Sequence, residues 1–418
     1  MTLDLTTYIR PGDRIVWGQA CGEPQTLVET LVQQRHRLGD VRCFLGIPGA
    51  TSTITAEHAD TLTLESYCGT GSNAALHAAG LLEIVPIHYS TLPAALAGGD
   101  LAADVVFVQV SPADEDGRHS LGLDDDYFSA AIDTARVVIA EVNDRVPFTP
   151  GARTLTAQNW ATAIYTSRPP TELPAPRADA VAQLVAANVA ALVPDGATLQ
   201  FGIGGLPEAC LDALHSHSDL GIHSGLINDG AMRLIRAGIA TGARKSTDRG
   251  VAVAGMLGGT AELFRWAHRN PQLALRSTSY THDPAVLAQQ SRLVAINSAI
   301  EVDLSGQVNC ELARWRYVGA VGGAADFLRG AAASRGGVPV IALPSMAGRA
   351  SRIVANLSGP VSIARSDVGV IVTEYGSADL RRVPVTRRYE LMIGVAQPDQ
   401  RDTLANTLGA TLRTGAKA

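Results

Sequence analysis

The chain has 418 residues, enough for two or three domains of ordinary size, with 46% hydrophobic and 18% charged residues, as in a soluble enzyme-sized protein. A net charge of −6, only two lysines (Lys245 and Lys417) and no basic cluster interleaved with aromatics argue against nucleic acid as a partner, and leave any phosphate to arginine or backbone N–H groups. Five scattered cysteines without a CxxC pair argue against a disulfide framework or a zinc centre, and the absence of an apolar signal core or membrane-length stretch makes a cytoplasmic protein without membrane or metal the expectation.

Short β-branched runs recur along the chain. In the first part they are RIVW (14–17), EIVPIHY (83–89), DVVFVQV (104–110) and RVVIAEV (136–142). In the second they are ATLQF (197–201), VAVAG (251–255), LVAIN (293–297), VPVIAL (338–343) and GVIV (369–372). Ala/Leu stretches at helical spacing separate many of them, ADAVAQLVAANVAALV (178–193) being the clearest. Buried strands alternating with helices predict an α/β fold with a mostly parallel sheet. SRPPTELPAPR (167–177), with four prolines and no apolar period, reads as a linker. It divides the chain into a domain over 1–177 and a second over 178–418.

The two parts resemble each other. PGDRIVWGQACGEPQTLVETL (11–31) aligns with PDGATLQFGIGGLPEACLDAL (194–214), both running strand, aromatic–Gly, glycine loop, Pro, amphipathic helix. VQVSPADEDG (108–117) loosely echoes INSAIEVDLSG (296–306). This spacing exceeds any solenoid period and suggests two similar open α/β domains from a duplication, with a ligand site between them.

In FGIGGLPEACLDAL (201–214), Gly202, Gly204 and Gly205 permit a sharp turn and close ligand approach, and the helix N-terminus offers N–H groups to an anion or oxyanion. The plainer reading is a tight strand–helix connection. Pro207 stands where a dinucleotide fingerprint needs its third glycine, which weakens a nicotinamide enzyme as an alternative. In VGAVGGAADFLRGAAAS (318–334), Gly319, Gly322 and Gly323 precede Asp326, a candidate helix cap or neighbour of an anion site. Glu301 and Asp303 lie at strand spacing before Ser305–Gly306, and the acids of AEVNDRVPFTPG (140–151) and VTEYGSADLRR (372–382) also follow apolar runs. Such carboxylates are either structurally paired or line a cleft. His88, His119 and His223 are isolated, which favours structural roles over metal ligation.

These segments, with ALPSMAGRASRIV (342–354), resemble family I coenzyme A transferases of the acetyl-CoA hydrolase/transferase and 4-hydroxybutyrate CoA-transferase branch, over nearly the whole chain. The resemblance implies CoA transfer between carboxylic acids through a glutamyl-CoA intermediate, with acyl-CoA and a small carboxylic acid as partners and coenzyme A as substrate rather than a tightly held cofactor. It implies that Gly202, Ile203, Gly204, Gly205 and Leu206 contact CoA, and that Gly322, Gly323 and the strand end Ile300–Glu301 border the CoA site. In this branch the nucleophilic glutamate ends a G-I-H-[ST]-E loop. Here the loop reads GIHSG (221–225): His223 and Ser224 match, and Gly225 stands where the glutamate belongs. Gly348–Arg349 replace the usual lysine region, and Arg382–Val383–Pro384 replace a G-K-[ST] stretch.

The expectation is therefore an acyl-CoA enzyme, transferring CoA or hydrolysing the thioester without the covalent glutamyl step. Glu301 is the first candidate for a substitute base or nucleophile and Glu374 the second. The alternative is a non-catalytic acyl-CoA-binding relative or partner of an active homologue. A homodimer is the default assembly.

Overall fold

The computed structural model describes residues 3–49, 53–174 and 176–415. The first half builds one sheet from β1 (Arg14–Trp17), β2 (Val41–Leu45), β3 (Leu62–Ser66), β4 (Leu82–Ile84), β5 (Val105–Val110), β6 (Val137–Asn143) and β7 (Thr162–Thr166). Its spatial order is β4-β3-β2-β1-β5-β6-β7, parallel throughout. The second half builds another from β8 (Thr198–Phe201), β9 (Gly221–Ile222), β10 (Leu293–Asn297), β11 (Val338–Ala342), β12 (Val370–Thr373) and β13 (Gly376–Asp379). Its order is β9-β8-β10-β11-β12-β13, with only the last pair antiparallel.

Period-two alternation explains why these runs read as continuously apolar. In the first sheet Val16, Val106, Val108 and Val138 face one core, while Ile15, Val105, Phe107 and Ile139 face another. The second sheet divides Leu199, Phe201, Val294 and Val340 from Leu293, Ala295, Ile341 and Ile371 in the same way. Both faces are buried, as a parallel sheet requires. EIVPIHY yields only the short β4, because Pro86 cannot donate to a ladder. VAVAG stays outside the main sheets: Ala252–Ala254 pairs with Leu273–Leu275.

In each half the chain leaves a central strand towards one edge and then returns to that strand's other side. This makes a topological switch point between β1 and β5, and another between β8 and β10. Helices α1 (Gln25–Gln34), α2 (Ala180–Ala190) and α3 (Gly205–Asp212) cover the sheets. Asp179 caps α2, its side chain accepting from Ala182 N at 2.8 Å. The proline-rich segment is tied down: Leu173 N donates to Gly259 O at 2.9 Å, and its side chain packs on the second half's core.

The halves meet at their strand ends. Tyr89 N donates to Gly322 O (3.1 Å), Asp125 N to Gly255 O (2.9 Å) and Leu257 N to Leu123 O (2.8 Å). The carboxylate of Asp326 accepts from Ser90 N at 3.0 Å and Ser90 Oγ at 2.8 Å. The expected cap is thus an inter-half latch. Asp326 lies inside the first turn of α4 (Ala324–Ala333), whose N-cap is Gly323, and its oxygens are turned to the other half.

Candidate active site

A cleft of about 260 Å³ lies where the two switch points face each other. From the first half it is lined by Gln19, just past β1, and by Tyr67 and Tyr89; from the second by Gln200, Gly202, Ile203 and Asn297 at the ends of β8 and β10. Gly225, His282, Gly322, Gly323 and Phe327 complete that wall. This is the crevice in which open α/β sheets hold ligands.

The glycine loop after β8 divides between cleft and scaffold. Gly202 and Ile203 line the cleft, and Ile203 is exposed at its mouth. Gly204 has φ +120°, a backbone state that L side chains rarely adopt, and caps α3 without a side chain. A Cβ on Gly205 would lie 2.8 Å from Pro176 O, so this glycine serves packing. Leu206 packs partly buried on the core.

The GIHSG loop answers differently at each residue. His223 is fully buried: Nε2 faces Thr281 O at 3.1 Å and Nδ1 faces Gln290 Nε2 at 3.4 Å. Burial, with Lys245 nearby, lowers its pKa to about 4, so the ring is neutral. The hydroxyl of Ser224 donates to Phe201 O at 3.1 Å. Neither side chain of the matching His223–Ser224 pair lines the cleft; both fix the loop so that Gly225 faces it. A Cβ on Gly225 would stand 3.3 Å from His282 Cε1, 3.5 Å from its Nε2 and 3.8 Å from Phe327.

The expected substitute carboxylates are occupied elsewhere. Oε1 of Glu301 accepts from Ser358 N (2.7 Å), Ser358 Oγ (2.9 Å), Asn309 Nδ2 (3.0 Å) and Gly359 N (3.2 Å). Glu374 accepts from Ser345 N at 2.8 Å and Ser345 Oγ at 2.6 Å. Glu141 accepts from Thr26 N and Leu27 N at the start of α1, where the helix dipole favours an anion. These acids knit loops to strand ends, and none lines the cleft. Ile300 does not line it either: its carbonyl accepts from Arg352 Nε at 2.9 Å. Arg349 is exposed at the tip of a hairpin whose strands are Met346–Ala347 and Ala350–Ser351. A conspicuous acid at a strand end is also what a loop anchor needs.

The cleft floor is a buried polar network that sequence reasoning missed. The Gln19 amide accepts from Tyr67 Oη (2.8 Å) and Ile47 N (2.9 Å) and donates to Tyr89 Oη at 2.7 Å. Tyr89 in turn donates to Asp126 Oδ2 at 2.7 Å. Behind it, Asp124 accepts from Gln19 N at 2.6 Å and bonds to Asp126. Burial raises both acids, Asp126 to about 6 and Asp124 well above the usual carboxylate range. Gln200 and Asn297 exchange amide hydrogen bonds of 2.9 and 3.3 Å across β8 and β10. His282, also missed, precedes Asp283, which caps the helix Pro284–Gln289. The local sequence there signals only a helix start.

With that geometry in view, comparison with known proteins is decisive. The acetyl-CoA hydrolase/transferase N-terminal domain model matches residues 3–156, and the C-terminal domain model of the same family matches residues 259–408. The chain belongs to the acetyl-CoA hydrolase/transferase family. It is 34% identical over 399 residues to 4-hydroxybutyrate coenzyme A transferase of Clostridium kluyveri, covering 94% of this chain and 93% of that one. RipA from Yersinia pestis superposes with a TM-score of 0.91 at 32% identity, covering 97% and 95% of the two chains. The 4-hydroxybutyrate CoA-transferase of Porphyromonas gingivalis superposes with a TM-score of 0.81, also at 32% identity, covering 97% and 96%. This member is accordingly an enzyme of the CoA-transferase or acyl-CoA hydrolase class, and the family's substrate is acyl-CoA.

Proposed function

We propose that the cleft binds the thioester end of an acyl-CoA, and that the protein transfers CoA to a small carboxylic acid or hydrolyses the thioester without a protein-bound glutamyl-CoA. One observation carries this reading: among the described residues, no Asp or Glu lines the cleft. The attacking oxygen then belongs to the second substrate, a free carboxylate or water. Gly202 and Ile203 border the reacting end on one side and Gly322 and Gly323 on the other, supporting a CoA role for both glycine loops. Ile47, Phe201, Leu226, Met256 and Phe327 supply an apolar lining suited to a short acyl chain. For the remaining motif residues, Gly204, Gly205 and Leu206 shape the loop, while exposed Arg349 is free to meet the nucleotide part of CoA.

The test incubates the protein with acetyl-, butyryl- and succinyl-CoA, with and without added carboxylates, following free thiol and new acyl-CoA. Acid-dependent formation of new acyl-CoA identifies a transferase; thiol release without acid identifies a hydrolase. In either case, borohydride trapping followed by peptide mapping should find no modified glutamate. A modified glutamate would refute the non-covalent reading, and binding without turnover would favour a non-catalytic acyl-CoA-binding protein.

A further inference from the structure

Among the described residues that line the cleft, His282 is the only Lys, Arg or His. It is 3% exposed, and its ring is wedged between Phe327 and Tyr89, at centroid distances of 4.5 and 4.9 Å. Nδ1 lies 2.9 Å from Thr281 Oγ1. Nε2 has no hydrogen-bond partner among the described residues. It lies between two positions that lack side chains: a Cβ on Gly225 would come within 3.5 Å of Nε2, and one on Gly323 within 2.6 Å. Both glycines line the cleft, so together they leave the Nε2 edge open to a ligand.

The Thr281 hydroxyl reaches both Nδ1 and, at 3.4 Å, Ser277 O, and it satisfies either ring tautomer. With that hydroxyl donating to Nδ1, the neutral ring carries its own proton on Nε2, the form that presents a donor to the cleft. Burial, with His223 nearby, holds the ring neutral, its pKa lowered to about 3. A neutral N–H donor, held by packing on both faces and lacking a partner, suits an oxygen that gains negative charge during reaction.

We propose that His282 is a catalytic residue whose Nε2–H donates to the carbonyl oxygen of the bound thioester and holds the oxyanion formed there. This rests on the acyl-CoA reading above. As an oxygen of water or of a free carboxylate bonds to the thioester carbon, the carbonyl π pair moves onto its oxygen beside Nε2–H. When that pair returns, the C–S bond breaks and CoA leaves as the thiolate. With water, the proton lost by the nucleophile ends on the thiolate, giving acid and CoA thiol. With a carboxylate, the products are a mixed anhydride and the thiolate; the thiolate then attacks the other carbonyl, whose bond to the bridging oxygen breaks, giving the new acyl-CoA and releasing the first acyl group as its carboxylate. His282 neither gains nor loses a proton in either route.

The test compares wild type, His282→Ala and His282→Gln in turnover, in CoA binding by calorimetry, and in NMR spectra with isotope-labelled histidine. The Ala variant should lower kcat about 100-fold or more while CoA affinity stays within about threefold, and Gln, which restores an N–H, should recover part of the loss. In wild type the Nε2–H resonance should shift with a ketone analogue of acyl-CoA, in which CH₂ replaces the thioester sulfur, and not with CoA alone. A kcat within about threefold of wild type in the Ala variant overturns the proposal. So does an Nε2–H resonance indifferent to the ketone, or an imidazolium at neutral pH. Turnover that survives His282→Ala leaves the acyl-CoA reading intact. A shift with the ketone in a protein that turns over no thioester leaves the His282 contact intact and removes the proposed function.

Discussion

The two halves place the same loop at the same topological position and use it in opposite ways. After β1, GQACG is plugged: Cβ atoms on Gly18 and Gly22 would each lie 2.9 Å from Asp124 Oδ2. After β8, GIGG is open up to its last glycine: a Cβ on Gly202 meets nothing nearer than Pro207 at 4.0 Å, one on Gly204 meets nothing within 4 Å, and only Gly205 is packed, against Pro176 O. A buried carboxylate packs beneath the glycines of one loop, and the first glycines of the other stand open toward the cleft. Similarity of loop sequence therefore does not imply similarity of use; what packs against the loop decides it.

The largest effect should separate these loops directly. Gly22→Ala forces a methyl against Asp124 and should cost about 3 kcal/mol, whereas Gly202→Ala should stay within about 0.5 kcal/mol and weaken acyl-CoA binding instead. Equal losses in chemical denaturation would erase the contrast. The next effect concerns the vacancy at 225. Gly225→Glu should cost about 1–2 kcal/mol, because its Cβ crowds His282. A borohydride-trapped glutamate at 225 in that variant would show that the loop still presents this position to the thioester.

Acid and base should strain opposite sides of the cleft. Asp126, with its folded pKa raised from 3.8 to about 6, contributes stability at low pH that is lost as pH rises through 6. His223 and His282, with pKa values lowered from 6.5 to about 4 and about 3, leave stability intact above 6.5 and erode it as pH falls towards those values. Asp124→Asn should flatten the loss of thermal stability between pH 5 and 8 by on the order of 1–2 kcal/mol. An unchanged slope in a melting series would show that the carboxyl pair does not carry the effect. The smallest effect on turnover should come from Glu301→Gln: kcat within about twofold, with about 1–2 kcal/mol of stability lost from the Ser358–Gly359 anchor. A collapse of kcat with stability unchanged would return Glu301 to the active site.

Much of the fold was legible because parallel strands buried on both faces are continuous apolar runs. RIVW and LVAIN are strands to the residue, and ADAVAQLVAANVAALV contains α2. The strands β2, β3 and β7 passed unnoticed because each carries polar residues, as in VRCFL, LTLES and TAIYT. Of the site, the cleft positions of Gly202, Gly225 and Gly323 were legible through motifs, since glycines mark close approach. Gln19, Tyr89, Asp126 and His282 were not, because their contacts join residues that lie far apart in the chain.

The sequence by itself determined the α/β class, the repeated strand–loop–helix unit and the family. These are local or ordered patterns that survive without coordinates. Only the tertiary structure decided which polar groups face the cleft. It turned Glu301, Glu374, His223 and Ser224 to anchoring bonds and brought the edge of His282 between two glycines. The reason is physical: a buried polar group takes whatever partner the packing offers, and that partner comes from another part of the chain.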